Sequence, residues 1–237
     1  MPISQKKVST YSFFTGLAQS ACLYPLDVAN ARQFLNGSHL KKLPRPLAGF
    51  SVAASQRGLK TFVTLSSFNQ FQQLSVEQAP EWVNRALAGT LTGMVEGVLF
   101  TPFSVLKNHL QAHPTQGFQA TLKQLKPSDY TRGWWPTVKR NMVFSSISMG
   151  VFGKWAQQND QFTDNITKCS ISFLCGGLAT LPFEWDRLSQ VFNQQRQASL
   201  FQKTKLLAPG LLKVSLMGGL FGPSIHNIIY PTNDSNH

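Results

Sequence analysis

Three prolines constrain this sequence more than any other feature. Pro25, Pro102 and Pro182 are separated by 77 and then 80 residues. Each follows a run of apolar residues rich in Gly, Ser and Ala, and each begins a short polar continuation. The three are Pro25-Leu26-Asp27-Val28-Ala29-Asn30, Pro102-Phe103-Ser104-Val105-Leu106-Lys107 and Pro182-Phe183-Glu184-Trp185-Asp186-Arg187. A proline inside a helical pattern removes one backbone donor and crowds the carbonyl a turn earlier, so it kinks the helix. A kinked helix that recurs at a near-constant period implies three copies of one structural unit.

Composition says what kind of unit this is. An ordinary globular chain carries about 25% charged residues. This one carries 14%, with 18 Phe and 17 Gly in 237 residues. Nowhere do 18 apolar residues run uninterrupted, as they would in a helix surrounded by lipid. Helices with one face on lipid and the other on a wet cavity have this broken pattern. The expected fold is an all-α membrane protein, a single domain over residues 1–237. Six transmembrane helices form three tandem helix-pair repeats around a central cavity, with the odd helices kinked at Pro25, Pro102 and Pro182.

The segments read as Ser9–Gln33 and Leu47–Leu74 for repeat one (about 9–74), Trp82–Gln111 and Trp134–Gln157 for repeat two (82–157), and Thr163–Gln194 and Leu206–Tyr230 for repeat three (163–230). Gly16 and Ser20 have a small-xxx-small spacing, and Gly89, Gly93 and Gly97 form a double GxxxG, the strongest helix-packing signal in the chain. Only repeat two has room between its helices for a further short helix, expected at Phe118–Leu125; the other two connections are trimmed.

The formal charge is +12. Scattered cations and the absence of any nucleic-acid-binding signature argue against nucleic acid and leave an anionic membrane or anionic ligands. Cys22, Cys169 and Cys175 do not make a disulfide framework. The five histidines do not form a ligand set, and no phosphate loop, nucleophile elbow or metal cluster is evident. The chain is expected to be no enzyme and to hold no cofactor or metal.

Four cations fall within predicted spans: Arg57, Lys60, Arg140 and Lys213. Facing lipid, each would cost about 2.5–3.5 kcal/mol, which together would consume the stability of a domain this size. They therefore face a water-filled cavity or sit near helix ends. The matched repeat positions of Arg140 and Lys213 favour the cavity. Arg57 and Lys60 share one helix face and divide between substrate contact and snorkelling. Glu96 is an intramembrane carboxylate, either proton-coupling or a structural partner for a cation.

The proline stretches resemble the mitochondrial carrier family, whose repeated motif is Pro-x-Asp/Glu-x-x-Lys/Arg, and Arg132–Asn141 resembles the entry to an even-numbered carrier helix. The resemblance covers nearly the whole chain, with a departure in each copy. It implies a gate in which each acid pairs with the base of the next repeat. Asp27 with Lys107 keeps both charges, whereas Ser104 with Arg187 and Glu184 with Asn30 keep one each. A charge swap, Lys107→Asp with Asp27→Lys, is then expected to restore part of any function that the single change removes. The family's second ring, at the other ends of the even helices, has no complete acid–base set in Phe62 or Phe68, Phe152-Gly153-Lys154 or Ile225-His226-Asn227.

The resemblance further implies substrate contacts at Arg140, Asn141 and Lys213, with Arg57 and Lys60 beside them. Arg followed by Asn is a pattern of organic-acid carriers, although a cationic cavity suits carboxylate and phosphate alike. A cardiolipin phosphate is expected at the helix start near Gly133, and the protein is expected to be monomeric. Lacking a presequence, the chain would be targeted by its own helices to the mitochondrial inner membrane, of a host cell if the gene is a pathogen's. The expected function is alternating-access transport of a small anionic metabolite, an organic carboxylate or nucleotide. The trimmed connections and missing ring leave a second reading, a non-transporting membrane adaptor or insertion factor.

Overall fold

The computed structural model describes residues 5–36, 47, 49–74, 76, 78–113, 117–151, 162–191, 207–208 and 210–217. Among these, all regular structure is helical. Helix α1 spans Gln5–Asn36, α2 Phe50–Gln72, α3 Glu81–Ala112 and α4 Phe118–Gln124. A 3-10 turn at Pro127–Thr131 leads into α5, Trp134–Ser145, which continues as a π-helical segment at Ser146–Val151. Helices α6 and α7 are Phe162–Ala179 and Leu181–Val191, and α8 covers residues 210–217. The short helix expected in repeat two is present as α4. The corresponding connections of the other two repeats, the turn around Lys41–Pro46 and the tail lie outside the described residues.

Of the described helices, Glu81–Gln111 is long and apolar enough to cross a membrane, and the bent pair Ile166–Ala179 and Leu181–Val191 qualifies as one broken span. The outer face of α3 shows why. Leu87, Leu91, Met94 and Val98 recur at helical spacing and are all exposed, a surface suited to hydrocarbon rather than water. The opposite face carries Thr92, Glu96 and Asn108, all buried. Amphipathic helices of this kind dilute the hydropathy of a span without leaving the membrane class.

The prolines do not act alike. Helices α1 and α3 stay helical through Pro25 and Pro102, as kinked helices also do. The third helix breaks at Thr180, two residues before Pro182, with a 58° bend. There both the N–H (3.2 Å) and the hydroxyl (2.9 Å) of Thr180 donate to the Gly177 carbonyl. This three-residue closure tightens the turn and redirects the helix.

Small residues set the helix spacing. A Cβ on Gly89 or Gly97 would come within 2.5 Å of the Ser145 carbonyl oxygen or 2.6 Å of the Val138 Cα, and one on Gly93 would meet the Asn141 backbone. The double GxxxG therefore packs α3 directly on the backbone of α5, and Gly150 continues the seam against Ala86. Gly16 lies against Arg57 and Gly58 in the same way, and one turn on the Ser20 hydroxyl donates to the Ala53 carbonyl at 3.2 Å. In the third repeat Gly177 packs against Val214. The residues five before each proline, Ser20, Gly97 and Gly177, thus all meet a partner helix. Helices α2 and α5 also begin alike: Gly49 (φ 79°) and Gly133 (φ 72°) precede them in the left-handed conformation, which glycine adopts without strain.

Candidate functional site

Two residues beyond Pro25, Asp27 projects from α1 and is 6% exposed. Three cations from three other helices converge on it. Arg57 Nη2 of α2 donates to Oδ2 at 3.0 Å, Lys213 Nζ of α8 donates to Oδ1 at 2.5 Å, and Lys107 Nζ of α3 stands 3.8 Å from Oδ2. One carboxylate against three cations leaves a local positive excess. A buried charge is tolerated only when paired and hydrogen-bonded, so these side chains are mutually dependent.

A second carboxylate, Glu184 of α7, lies two residues beyond Pro182. Arg187, one turn along the same helix, donates to both its oxygens, Nε to Oε2 at 2.9 Å and Nη2 to Oε1 at 2.6 Å. This is a bidentate fork of the strong kind. Arg140 Nε of α5 lies 2.7 Å from Oε2, close enough for an ion pair, although its N–H is not aligned for a hydrogen bond. Arg140 Nη1 also donates to Asn141 Oδ1 at 2.9 Å. A third carboxylate, Glu96 of α3, is 4% exposed and takes Lys60 Nζ at 2.9 Å and the Thr64 hydroxyl. Lys60 and Thr64 are one turn apart on α2 and so reach it together.

All these groups line one cavity of about 230 Å³, walled by side chains from α1, α2, α3, α5, α6, α7 and α8. The structure thus brings together Arg57, Lys60, Arg140, Asn141 and Lys213, the five residues expected to contact substrate, with Asp27, Ser104, Lys107, Glu184 and Arg187 of the expected gate. Charge is unevenly distributed there: six cations, Arg57, Lys60, Lys107, Arg140, Arg187 and Lys213, face the three carboxylates.

The pairing differs from the ring the motif implies. Asp27 with Lys107 is present, but it is the longest of the three contacts to that carboxylate. Arg187 turns to Glu184 of its own helix rather than to Ser104. Ser104 accepts a hydrogen bond from Gln56 Nε2 at 2.7 Å, so a neutral residue at the motif's acid position meets a neutral amide from α2. The Asn30 side chain lies outside the described residues, as do Phe152-Gly153-Lys154 and Ile225-His226-Asn227. Phe68 is wholly buried and Phe62 half-buried.

Sequence reasoning passed over Gln56, Thr64 and Gln19. For Gln56 the signal was present. It is seven residues past the left-handed Gly49, as Arg140 is past Gly133. Arg57 and Lys60 drew attention because charge in a span is conspicuous and a glutamine is not.

Helices closed by small residues around a cation-rich cavity fit an all-α membrane protein. The sequence model of the mitochondrial carrier protein family matches residues 78–157. A mouse (Mus musculus) protein named mitochondrial nicotinamide adenine dinucleotide transporter SLC25A51 is 27% identical over 177 residues, which is 67% of this chain. The match spans 59% of that relative's length. Over these segments the chain is similar to mitochondrial carriers, in keeping with the resemblance carried by its proline stretches.

Proposed function

We propose that this protein carries a small anionic metabolite across the mitochondrial inner membrane by alternating access. Its cavity would be formed by six spans in three repeats, closed at one end by the groups after the prolines. The observation that carries this reading is the six-to-three excess of cations over carboxylates in one cavity. Phosphate or carboxylate oxygens entering there compete with Asp27 and Glu184 for Arg57, Lys213 and Arg140, through charge-assisted hydrogen bonds of the same kind. A ligand that takes over those cations weakens the contacts holding α1, α2, α3 and α8 together at Asp27. It shifts the closed–open equilibrium by as much as it prefers the open state.

The relative's name makes nicotinamide adenine dinucleotide the first candidate, with other nucleotides next. The Arg140-Asn141 pair keeps organic acids in the panel. The cardiolipin expected near Gly133 belongs to the same reading, as a lipid that holds the helix start at the membrane surface.

The test is uptake by proteoliposomes of labelled NAD, ADP, AMP, malate and phosphate, with Arg140→Ala alongside. Saturable uptake of at least one anion, reduced in the variant, is the expected result. All six cations are already paired with carboxylates, which also suits a locked protein that moves nothing and acts as an adaptor or insertion factor. Absence of uptake for every anion would establish that second reading and overturn the first.

A further inference from the structure

The gate and the cations do not account for Gln19. It is 2% exposed, lines the cavity, and its Nε2 has no hydrogen-bond partner among the described residues. Buried amide groups are nearly always hydrogen-bonded, and an orphaned one is costly enough to require a reason. Its main chain is tied in place, since the Gln19 carbonyl accepts from Arg57 Nη1 at 3.3 Å. The side chain therefore stands at a fixed point beside the cationic cluster.

The repeat shows what is special about that point. Gln19, Glu96 and Gly176 each lie six residues before a repeat proline, so they occupy one layer of the threefold plan. In that layer Glu96 is occupied by Lys60 and Thr64, and Gly176 contributes no side chain. Gln19 is left as an uncharged donor on one side of an otherwise pseudo-symmetric cavity. One guanidinium links it to the Asp27 cluster, since Arg57 donates to Asp27 through Nη2 and to the Gln19 carbonyl through Nη1.

We propose that Gln19 contacts the substrate, donating a hydrogen bond to a neutral acceptor of an anion whose charge is held by Arg57 and Lys213 at the Asp27 level. A carboxamide carbonyl or a ring nitrogen would serve. A neutral amide competes poorly with guanidinium for charged oxygens but pairs well with a neutral acceptor. Bare phosphate, all of whose oxygens share its charge, offers no such acceptor. A single donor on one of three sides also sets which way round that ligand lies. This assignment rests on the carrier reading and gives it a substrate class, namely anions that carry a neutral acceptor besides their charged group, as nucleotides and dinucleotides do.

The uptake assay is repeated with Gln19→Met, which keeps chain length and removes the donor, and Gln19→Glu, which replaces it with an acceptor. The expected result is that wild-type protein carries NAD, ADP or AMP. Gln19→Met then raises the half-saturation concentration for that nucleotide about tenfold, more than it lowers the maximal rate. Gln19→Glu raises it further. Inhibition of uptake by inorganic phosphate keeps its wild-type strength in Gln19→Met, and the melting temperature without ligand does not fall. Half-saturation at the wild-type value, an equal loss of phosphate inhibition, or a wild-type protein that carries only phosphate or malate each overturns the assignment. A wild-type protein that carries nothing overturns the carrier reading itself, and the role of Gln19 with it.

Discussion

Replacing Asp27 with Asn removes one charge and leaves three cations, Arg57, Lys107 and Lys213, around a neutral amide. At the contact distances of 3.0 and 2.5 Å, each of the two short pairs is attracted by about 5–7 kcal/mol at an effective dielectric near 20. Desolvation cancels most of this, and breaking such a buried pair by removing one partner costs about 3–5 kcal/mol. For a chain of this size that corresponds to a fall in melting temperature of about 6–20 °C. Lys107→Met removes one of three cations at the longest contact, 3.8 Å. It removes that cation's repulsion of Arg57 and Lys213 while leaving Asp27 paired, so it costs about 1 kcal/mol or less. Thermal unfolding of the detergent-purified protein by intrinsic fluorescence checks both. The expected order is a large loss for Asp27→Asn and a small one for Lys107→Met. If Lys107→Met is as damaging as Asp27→Asn, the excess of cations at this carboxylate is wrong.

Other outcomes follow from the same contacts. The swap Asp27→Lys with Lys107→Asp will not restore transport, because it sets the new lysine among Arg57 and Lys213; recovery to half of wild-type uptake would show that those two contacts are unimportant. Lys60→Met strands Glu96, at a cost of about 1–3 kcal/mol after discounting for the one-third exposure of Lys60, and adding Glu96→Gln should recover much of it in the same melting assay. Gly93→Ala places a methyl group in the Asn141 backbone and should lower stability by about 1–3 kcal/mol or more; a neutral result would mean that α3 and α5 are farther apart than described. Gly117→Ala, where nothing lies within 4 Å of the added Cβ, serves as the control and should change stability by no more than about 0.5 kcal/mol.

The helix pairs and their seams were readable because periodicity and small residues are local signals. Gly89, Gly93 and Gly97 announce a close-packed face from spacing alone, and Phe118–Gln124 shows as a short helix because Gly117 and Pro127 bracket it. The ion pairs were not readable. Net charge reveals that cations are in excess, but whether Arg187 faces Ser104 or turns to Glu184 depends on side-chain reach, and the nearer acid on its own helix wins. The bend before Pro182 is where a kink was expected, but the Thr180 hydroxyl folding back on Gly177 looks in sequence like any threonine. The π-helical segment at Ser146–Val151 has no proline or glycine at its start to mark it.

The seam between α3 and α5 has a mechanical consequence. Where backbone touches backbone through Gly89, Gly93, Gly97 and Gly150, no side chains are available to slide or change rotamer, so the two helices are locked into one stiff lever. Motion that opens the cavity must then be taken up elsewhere, at seams with compliant contacts. The boundary of α5 with α6 is one, where Phe144 meets Phe173 edge to face at 5.5 Å and Ser172 only grazes the Ser148 carbonyl at 3.4 Å.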